Sequence, residues 1–319
     1  MYLICGEALF DVFTASGDGP GNRLTLEAVA GGSPFNVAVG LSRLGVPAAL
    51  LGGISNDSFG ERLRQILSDE GVIDDYLVPF EAPTTLAMVA LGADGSPRYS
   101  FRGEGCADRL LREAHLRPLA DDIGAIHVGS YSMVVPPIAD TLHALVSRES
   151  HRRLISMDPN VRPTVEPNLP RWRERVDAFA RHAHLIKASD EDLALLYPGE
   201  APERIAQGWL KDRCELVLLT RGSKGAQLFS RRHGQFHAAA RPTVVRDTVG
   251  AGDTFQAALL AYLHEQGVRT AAALAELGRD QLESMLGFAV QAAAVTCSRT
   301  GPDLPCRYEI DWPASQQCL

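Results

Sequence analysis

Three small residues, Gly250, Ala251 and Gly252, stand between two acids in the stretch RDTVGAGDTF (246–255). After Asp253, apolar Phe255, Ala258, Leu259, Tyr262 and Leu263 follow the spacing of one helix face, and Gly267 is a stop. The small residues therefore fall on the first helical turn or just before it. N–H groups there have no partner inside the helix, and the dipole adds about half a positive charge. Gly and Ala let an anion come close, so the stretch suits phosphate or charge developing in a transition state. Helix capping accounts for one aspartate but not for the small residues ahead of it. A carboxylate beside a bound anion can take the proton of a hydroxyl that attacks phosphorus: phosphoryl transfer with a general base. Competing signatures are missing. The chain has no GxxxxGK[ST], no GxGxxG after its first strand, no HExxH and no GxSxG.

The elements that must position this chemistry read as strand–helix alternation. Apolar runs at 2–5, 48–54, 125–130, 154–158, 184–189 and 216–220 are bounded by Gly, Asp or Ser. They have the character of parallel strands covered on both faces. Helix-period segments such as 58–71 and 136–150 lie between them. The expectation is an α/β fold, a doubly wound and mostly parallel sheet with helices on both faces. Two regions break the alternation. Residues about 12–30 are rich in Gly, Asp and Thr, and residues 84–103 hold two β-rich runs around ADGS, a hairpin signal. Together they predict a small antiparallel layer standing off the main sheet, either a lid over a cleft or a decoration. No repeat or linker divides the chain, so 1–319 reads as one domain, with the Pro-containing tail wrapping the surface.

Composition is that of a globular protein: 319 residues, 45% hydrophobic, 22% charged, net charge −8. No basic stripe points to nucleic acid, and the arginines of RWRER (171–175) read as a solvated helix face. Six scattered cysteines without a CxxC pair suit reduced thiols in the cytoplasm. The N-terminus has neither signal-peptide flanks nor a membrane-spanning run.

DTVGAGD (247–253) resembles the C-terminal signature of the ribokinase-like, or PfkB-type, carbohydrate kinases, and GGSPFNVAVGLSRLG (31–45) resembles their N-terminal one. The two occur in the family's order, and the likeness runs from GEALFDVF (6–13) to TCSRTGPDLP (296–305). GEALFD, DPNVRP (158–163) and YSFRGEGCAD (99–108) resemble bacterial fructokinases most. The resemblance implies a large α/β domain with a β-sheet lid, sugar between them and ATP along the sheet edge. It makes Asp253 the base and Gly250, Ala251 and Gly252 the anion hole.

The resemblance also assigns other positions. Asp11, after the first strand, would accept hydrogen bonds from sugar hydroxyls; the plain alternative is a loop aspartate. Gly31 and Gly32 permit close backbone approach to a ligand, Pro34 and Gly45 suit the ends of a helix, and Asn36 would face the cleft. Arg102 and Arg162 could reach the sugar or its phosphate. Asp158 and Asn160 end a strand at the edge where such sheets bind ligands. Thr220, Gly222 and Gly225 match a nucleotide segment that otherwise reads as a hairpin turn, and Lys187, after the strand HLI, would approach the ATP phosphates. Ser189 and Asp192 stand where relatives carry a magnesium-associated NxxE, which leaves direct ligands of Mg2+ open. Val290 replaces an asparagine near the adenine.

The expected reaction is ATP-dependent phosphorylation of a sugar hydroxyl, with fructose first and 2-keto-3-deoxygluconate, ribose or a nucleoside as alternative acceptors. The resemblance further suggests a homodimer through the lid, and a monovalent cation such as K+ stays open. A non-catalytic sugar- or nucleotide-binding sensor is a separate class, against which the intact Asp11, Asn36 and Asp253 argue. A nicotinamide-dependent oxidoreductase lacks its GxGxxG start.

Overall fold

The computed structural model describes residues 1–14, 22–91 and 97–312. The strands are β1 (Tyr2–Cys5), β2 (Leu9–Thr14), β3 (Leu26–Gly31), β4 (Ala48–Ser55), β5 (Leu77–Phe80), β6 (Leu86–Leu91), β7 (Pro97–Arg102), β8 (Ala125–Gly129), β9 (Leu154–Asp158), β10 (Leu185–Ser189), β11 (Leu216–Thr220), β12 (Ala226–Ser230) and β13 (Gly234–Ala238). The helices are α1 (Ser33–Arg43), α2 (Ser58–Asp69), α3 (Ile138–Glu149), α4 (Leu169–Ala180), α5 (Asp190–Leu196), α6 (Pro202–Trp209), α7 (Ala251–Glu265), α8 (Ala271–Ala275) and α9 (Arg279–Cys297).

The large sheet runs β13-β12-β11-β10-β9-β8-β1-β4-β5. It is parallel from β5 to β11, and β12 and β13 return antiparallel. Its apolar runs are continuous because successive residues feed opposite faces and both faces are covered. Ile4, Leu50 and Leu218 join one core with α1, α7 and α9. Leu3, Cys5, Leu51 and Ile126 join the other with α3, α4, α5 and α6. Strand order reverses at β1, which has β8 on one side and β4 on the other; ligands of open α/β sheets bind at such a point, beyond the strands' C-terminal ends.

Helices α1 and α7 pack closely at that edge. A Cβ on Gly40 would lie 2.9 Å from Ala257 Cβ and 2.5 Å from Leu304 Cδ2, so glycine sets the approach. Full burial of a side chain such as Phe35 or Leu259 at this contact contributes about 1.5–3 kcal/mol. Leu304 is buried there and Trp312 lies over Gly287. The described part of the tail therefore packs into the helical layer rather than lying over the surface.

A separate four-stranded sheet runs β3-β2-β6-β7. It corrects the expected antiparallel layer, because its central pair, β2 and β6, is parallel, while β2·β3 and β6·β7 are antiparallel. It also begins earlier than expected, at Leu9. The parallel pair arises because the chain leaves after β3, builds α1, β4, α2 and β5, and only then returns. The ADGS turn and residues 15–21 lie outside the described residues. Where β6 begins, Asp57 accepts hydrogen bonds from Thr84 N (2.8 Å) and Thr84 Oγ1 (2.7 Å), and buried Asp108 accepts from Thr85 Oγ1 and Tyr131 OH.

The arginines of 171–175 are not a purely solvated face. Arg171 pairs with Glu166, Arg173 donates to Leu196 O and Arg175 pairs with Asp140, while Trp172 is buried. Among the described residues, no helix is long and apolar enough to cross a membrane, and Cys5, Cys106, Cys214, Cys297 and Cys306 are free.

Candidate active site

Helix α7 starts as its sequence dictates. Gly250 is its N-cap in the left-handed region, φ 79°, where a side chain is strained. A Cβ there would also lie 2.9 Å from Pro302 Cα. Asp247 holds the loop ahead of it, accepting from Val249 N at 3.0 Å and Gly301 N at 2.9 Å. Ala251 N already donates to Thr248 O at 3.2 Å, which refines the expected anion hole. At this helix start, the N–H groups of Gly250, Gly252 and Asp253 have no acceptor among the described residues.

Asp253 is 8% exposed and held from α1. Ser33 Oγ donates to Oδ1 at 2.7 Å and Asn36 Nδ2 donates to Oδ2 at 2.8 Å. Part of the amide of Asn36, expected to face the cleft, is thus committed to Asp253. Ser33 escaped sequence reading; its only signal is its place in the first turn of α1. Gly31 and Gly32, expected to admit a ligand, admit the protein itself. Cβ atoms there would lie 2.7 Å from Asp11 Oδ2 and 2.9 Å from Glu7 O, and Gly32 adopts φ 102°.

Lys187 lies inside β10, not after it. Its Nζ donates to Asp158 Oδ2 at 2.6 Å and would stand 3.2 Å from a Cβ on Gly252. The ammonium is therefore beside the open N–H groups. Burial would lower the Lys187 pKa, but Asp158 outweighs it and the pKa is raised. Burial pushes the Asp158 carboxyl up to about 6, although Lys187 pulls it down. Removing one partner of such a buried pair costs about 3–5 kcal/mol.

Asp11 lies in the middle of β2, which removes the loop alternative. Burial raises its pKa to about 6, Arg162 opposes this and Asp253 adds to it. No donor reaches its carboxylate among the described residues, so neither oxygen has a hydrogen-bond partner there. Glu7, next to Gly6 at the end of β1, is buried, accepts from Ser132 Oγ and has its pKa raised to about 7 by burial. Sequence reading did not single it out.

Other expected positions are more dispersed. Asn160 has φ 39° and donates from N to Asp158 Oδ1 at 3.2 Å. Arg162 and Arg102 are exposed, Arg102 at the end of β7. Thr220 ends β11, and Gly222 and Gly225 form the turn into antiparallel β12. Val290 is buried in the core of α9, which leaves little of it to meet a base. Ser189 and Asp192 cap α5, and Asp192 Oδ1 also accepts from Val161 N at 2.8 Å. Their oxygens are committed to the protein, and no cluster of three His, Cys, Asp or Glu fits a metal among the described residues. This donor set does not build a resident metal site.

The arrangement can bind an anion at a helix start, set an ammonium beside it and present a carboxylate to an attacking hydroxyl. Known proteins carry the same framework. Residues 3–307 match the pfkB family carbohydrate kinase. The chain is 36% identical over 284 residues to a fructokinase of Rhizobium leguminosarum bv. trifolii, covering 89% of this chain and 86% of that one. It is 33% identical over 316 residues to fructokinase-1 of Oryza sativa subsp. japonica, covering 96% and 94%. The structure of a Xylella fastidiosa fructokinase with bound ATP superimposes with a TM-score of 0.87 at 28% identity, over 97% of this chain and 96% of that one. A Vibrio cholerae O395 fructokinase with fructose, ADP and calcium ion bound gives 0.80 at 25% identity, over 97% of this chain and 98% of that one. With the helix-start site and the sheet order both in place, the chain belongs to the pfkB family of carbohydrate kinases.

Proposed function

We propose that the chain transfers the γ-phosphoryl group of ATP to fructose, giving fructose 6-phosphate and ADP. The observation that carries this reading is Asp253, fixed by Ser33 and Asn36 beside open N–H groups and the Lys187 ammonium. The sugar hydroxyl oxygen forms a bond to phosphorus as the bond to the bridging oxygen of ADP breaks, and the hydroxyl proton passes to Asp253. The N–H groups of Gly250, Gly252 and Asp253, with Lys187, offset charge on the phosphoryl oxygens. The open carboxylate of Asp11 accepts hydrogen bonds from sugar hydroxyls. The fructokinase relatives support fructose as acceptor and ATP as donor.

Magnesium belongs with the nucleotide, whose phosphates need its charge. The nucleotide lies along the strand ends toward Thr220, Gly222 and Gly225 in this reading. Exposed Leu26 at the start of β3 and exposed Leu24 just before it support pairing of two copies, and the free thiols suit the cytoplasm. A second acceptor, 2-keto-3-deoxygluconate, has one observation in its favour: Arg162 is near enough to act on Asp11 and could face a carboxylate. Coupled ADP release across fructose, 2-keto-3-deoxygluconate, ribose and nucleosides tests the proposal. Fructose should give the highest kcat/KM; a higher value for another acceptor would displace it.

A further inference from the structure

On the face of the large sheet that meets α7, a polar line interrupts the core. His127 of β8 and Ser156 of β9 are register partners, and both are buried. His127 Nδ1 lies 3.2 Å from Ser156 Oγ. Gln256 of α7, fully buried, donates from Nε2 to the same hydroxyl at 3.0 Å. Its neighbours on α7, Phe255, Ala257, Leu259 and Leu260, all belong to the apolar core. The line sits directly below the site. Gln256 is one turn after Asp253. Asp158 is two residues after Ser156, and Lys187 is two after Leu185, which pairs with Ser156. Alternation along the strands puts all of them on one face.

Stability does not account for this line. A serine hydroxyl that accepts from the amide has its own proton for His127 Nδ1, which leaves the imidazole proton on Nε2. His127 is neutral, since burial and Lys187 lower its pKa to about 3. His127 Nε2 and Gln256 Oε1 have no hydrogen-bond partner among the described residues. A buried polar atom left so is destabilising, whereas apolar groups of the same shape can be neutral or better. What the line supplies is direction. Apolar contact is non-directional, so packing alone defines the register of helix α7 on the sheet less sharply. The amide–hydroxyl bond fixes it. The same turns are tied elsewhere, by Asp253 to α1 and by Thr254 Oγ1 to Thr296 Oγ1 of α9 at 2.8 Å. Only Gln256 ties them to the sheet among these bonds.

We propose that Gln256, Ser156 and His127 are positioning residues that register the first turn of α7 against Asp158 and Lys187. The inference rests on Asp253 being the base. The test compares Gln256→Met, close to glutamine in size and unbranched, with Ser156→Ala and the double variant, using Asp253→Asn as reference. Because a displacement near 1 Å can cost up to about 10²-fold in rate, each single variant should lower kcat about tenfold with KM for sugar and ATP within about twofold. Gln256→Met should melt at an unchanged or higher temperature, whereas Ser156→Ala, which leaves Gln256 Nε2 and His127 Nδ1 unpaired, should melt lower; the double variant should lose no more kcat than the worse single one, since both cut one line. Near-normal kcat in either single variant, losses that multiply, or, in Gln256→Met, a kcat loss accompanied by a matching loss of stability would overturn it. Ser156→Ala removes one hydroxyl and no carbon, so the inference stays testable if Gln256→Met does not fold. An Asp253→Asn enzyme with near-normal kcat would sink the base assignment itself; an impaired one beside a normal Gln256→Met would sink only the positioning role.

Discussion

The start of α7 and the small sheet each contribute an aspartate to the cleft, and the two are treated in opposite ways. Asp253 has both oxygens occupied by side chains of α1 and is 8% exposed. Asp11 is partly buried in β2 with no donor among the described residues, and its pKa is raised to about 6 by that burial. One region is finished before substrate arrives; the other leaves a site for the ligand's own hydroxyls to complete. In the proposed reaction, bond-making falls at the buried start of α7 and sugar recognition on the small sheet.

Three measurements can break or sharpen this contrast. The largest effect is expected for Asp253→Asn, which keeps the shape and removes the base. Its kcat should fall about 10²–10⁴-fold with sugar KM little changed, and retained kcat would falsify the assignment. Asp11→Asn should act the other way, raising sugar KM about tenfold or more with a smaller change in kcat. In the wild type, sugar KM should also rise as pH falls through about 6, where the Asp11 carboxylate is protonated and loses acceptors; the variant should lack that inflection. An Asp11→Asn enzyme with normal KM would remove the sugar role. The smallest effect concerns Glu7. Its folded-state pKa of about 7 exceeds the ordinary 4.5, so the folded chain binds more protons between those values. Stability must then fall as pH rises across that window and level off above it. Glu7→Gln should gain melting temperature relative to wild type from pH 5 to pH 8, read by thermal unfolding across that range. A constant difference would show that the carboxyl is not held protonated.

How far the sequence discloses this molecule depends on the kind of feature. Strands β1, β4, β8, β9, β10 and β11 were legible because two covered faces make unbroken apolar runs. Helix α7 was legible because its spacing and its glycines agree. The pairing of β2 with β6 was not, since the same alternating residues suit either direction and the choice lies in an intervening crossover. Ser33 and Gln256 were invisible for a related reason. Each is an ordinary polar residue in a helix, and its meaning comes from a partner more than 90 residues away in the chain. Asp11 could be named from resemblance, yet its unsatisfied state is a property of the folded surroundings alone.

The parallel pairing of β2 with β6 has a consequence for how the chain assembles. Parallel strands need a crossover between them, and here that crossover is α1, β4, α2 and β5 of the large sheet. The small sheet cannot close as a local hairpin would, because its middle depends on a long loop already being ordered. The small sheet is therefore a product of the large sheet's folding: a fragment cut at the ends of the small sheet carries β4 without β1, the strand that β4 pairs with.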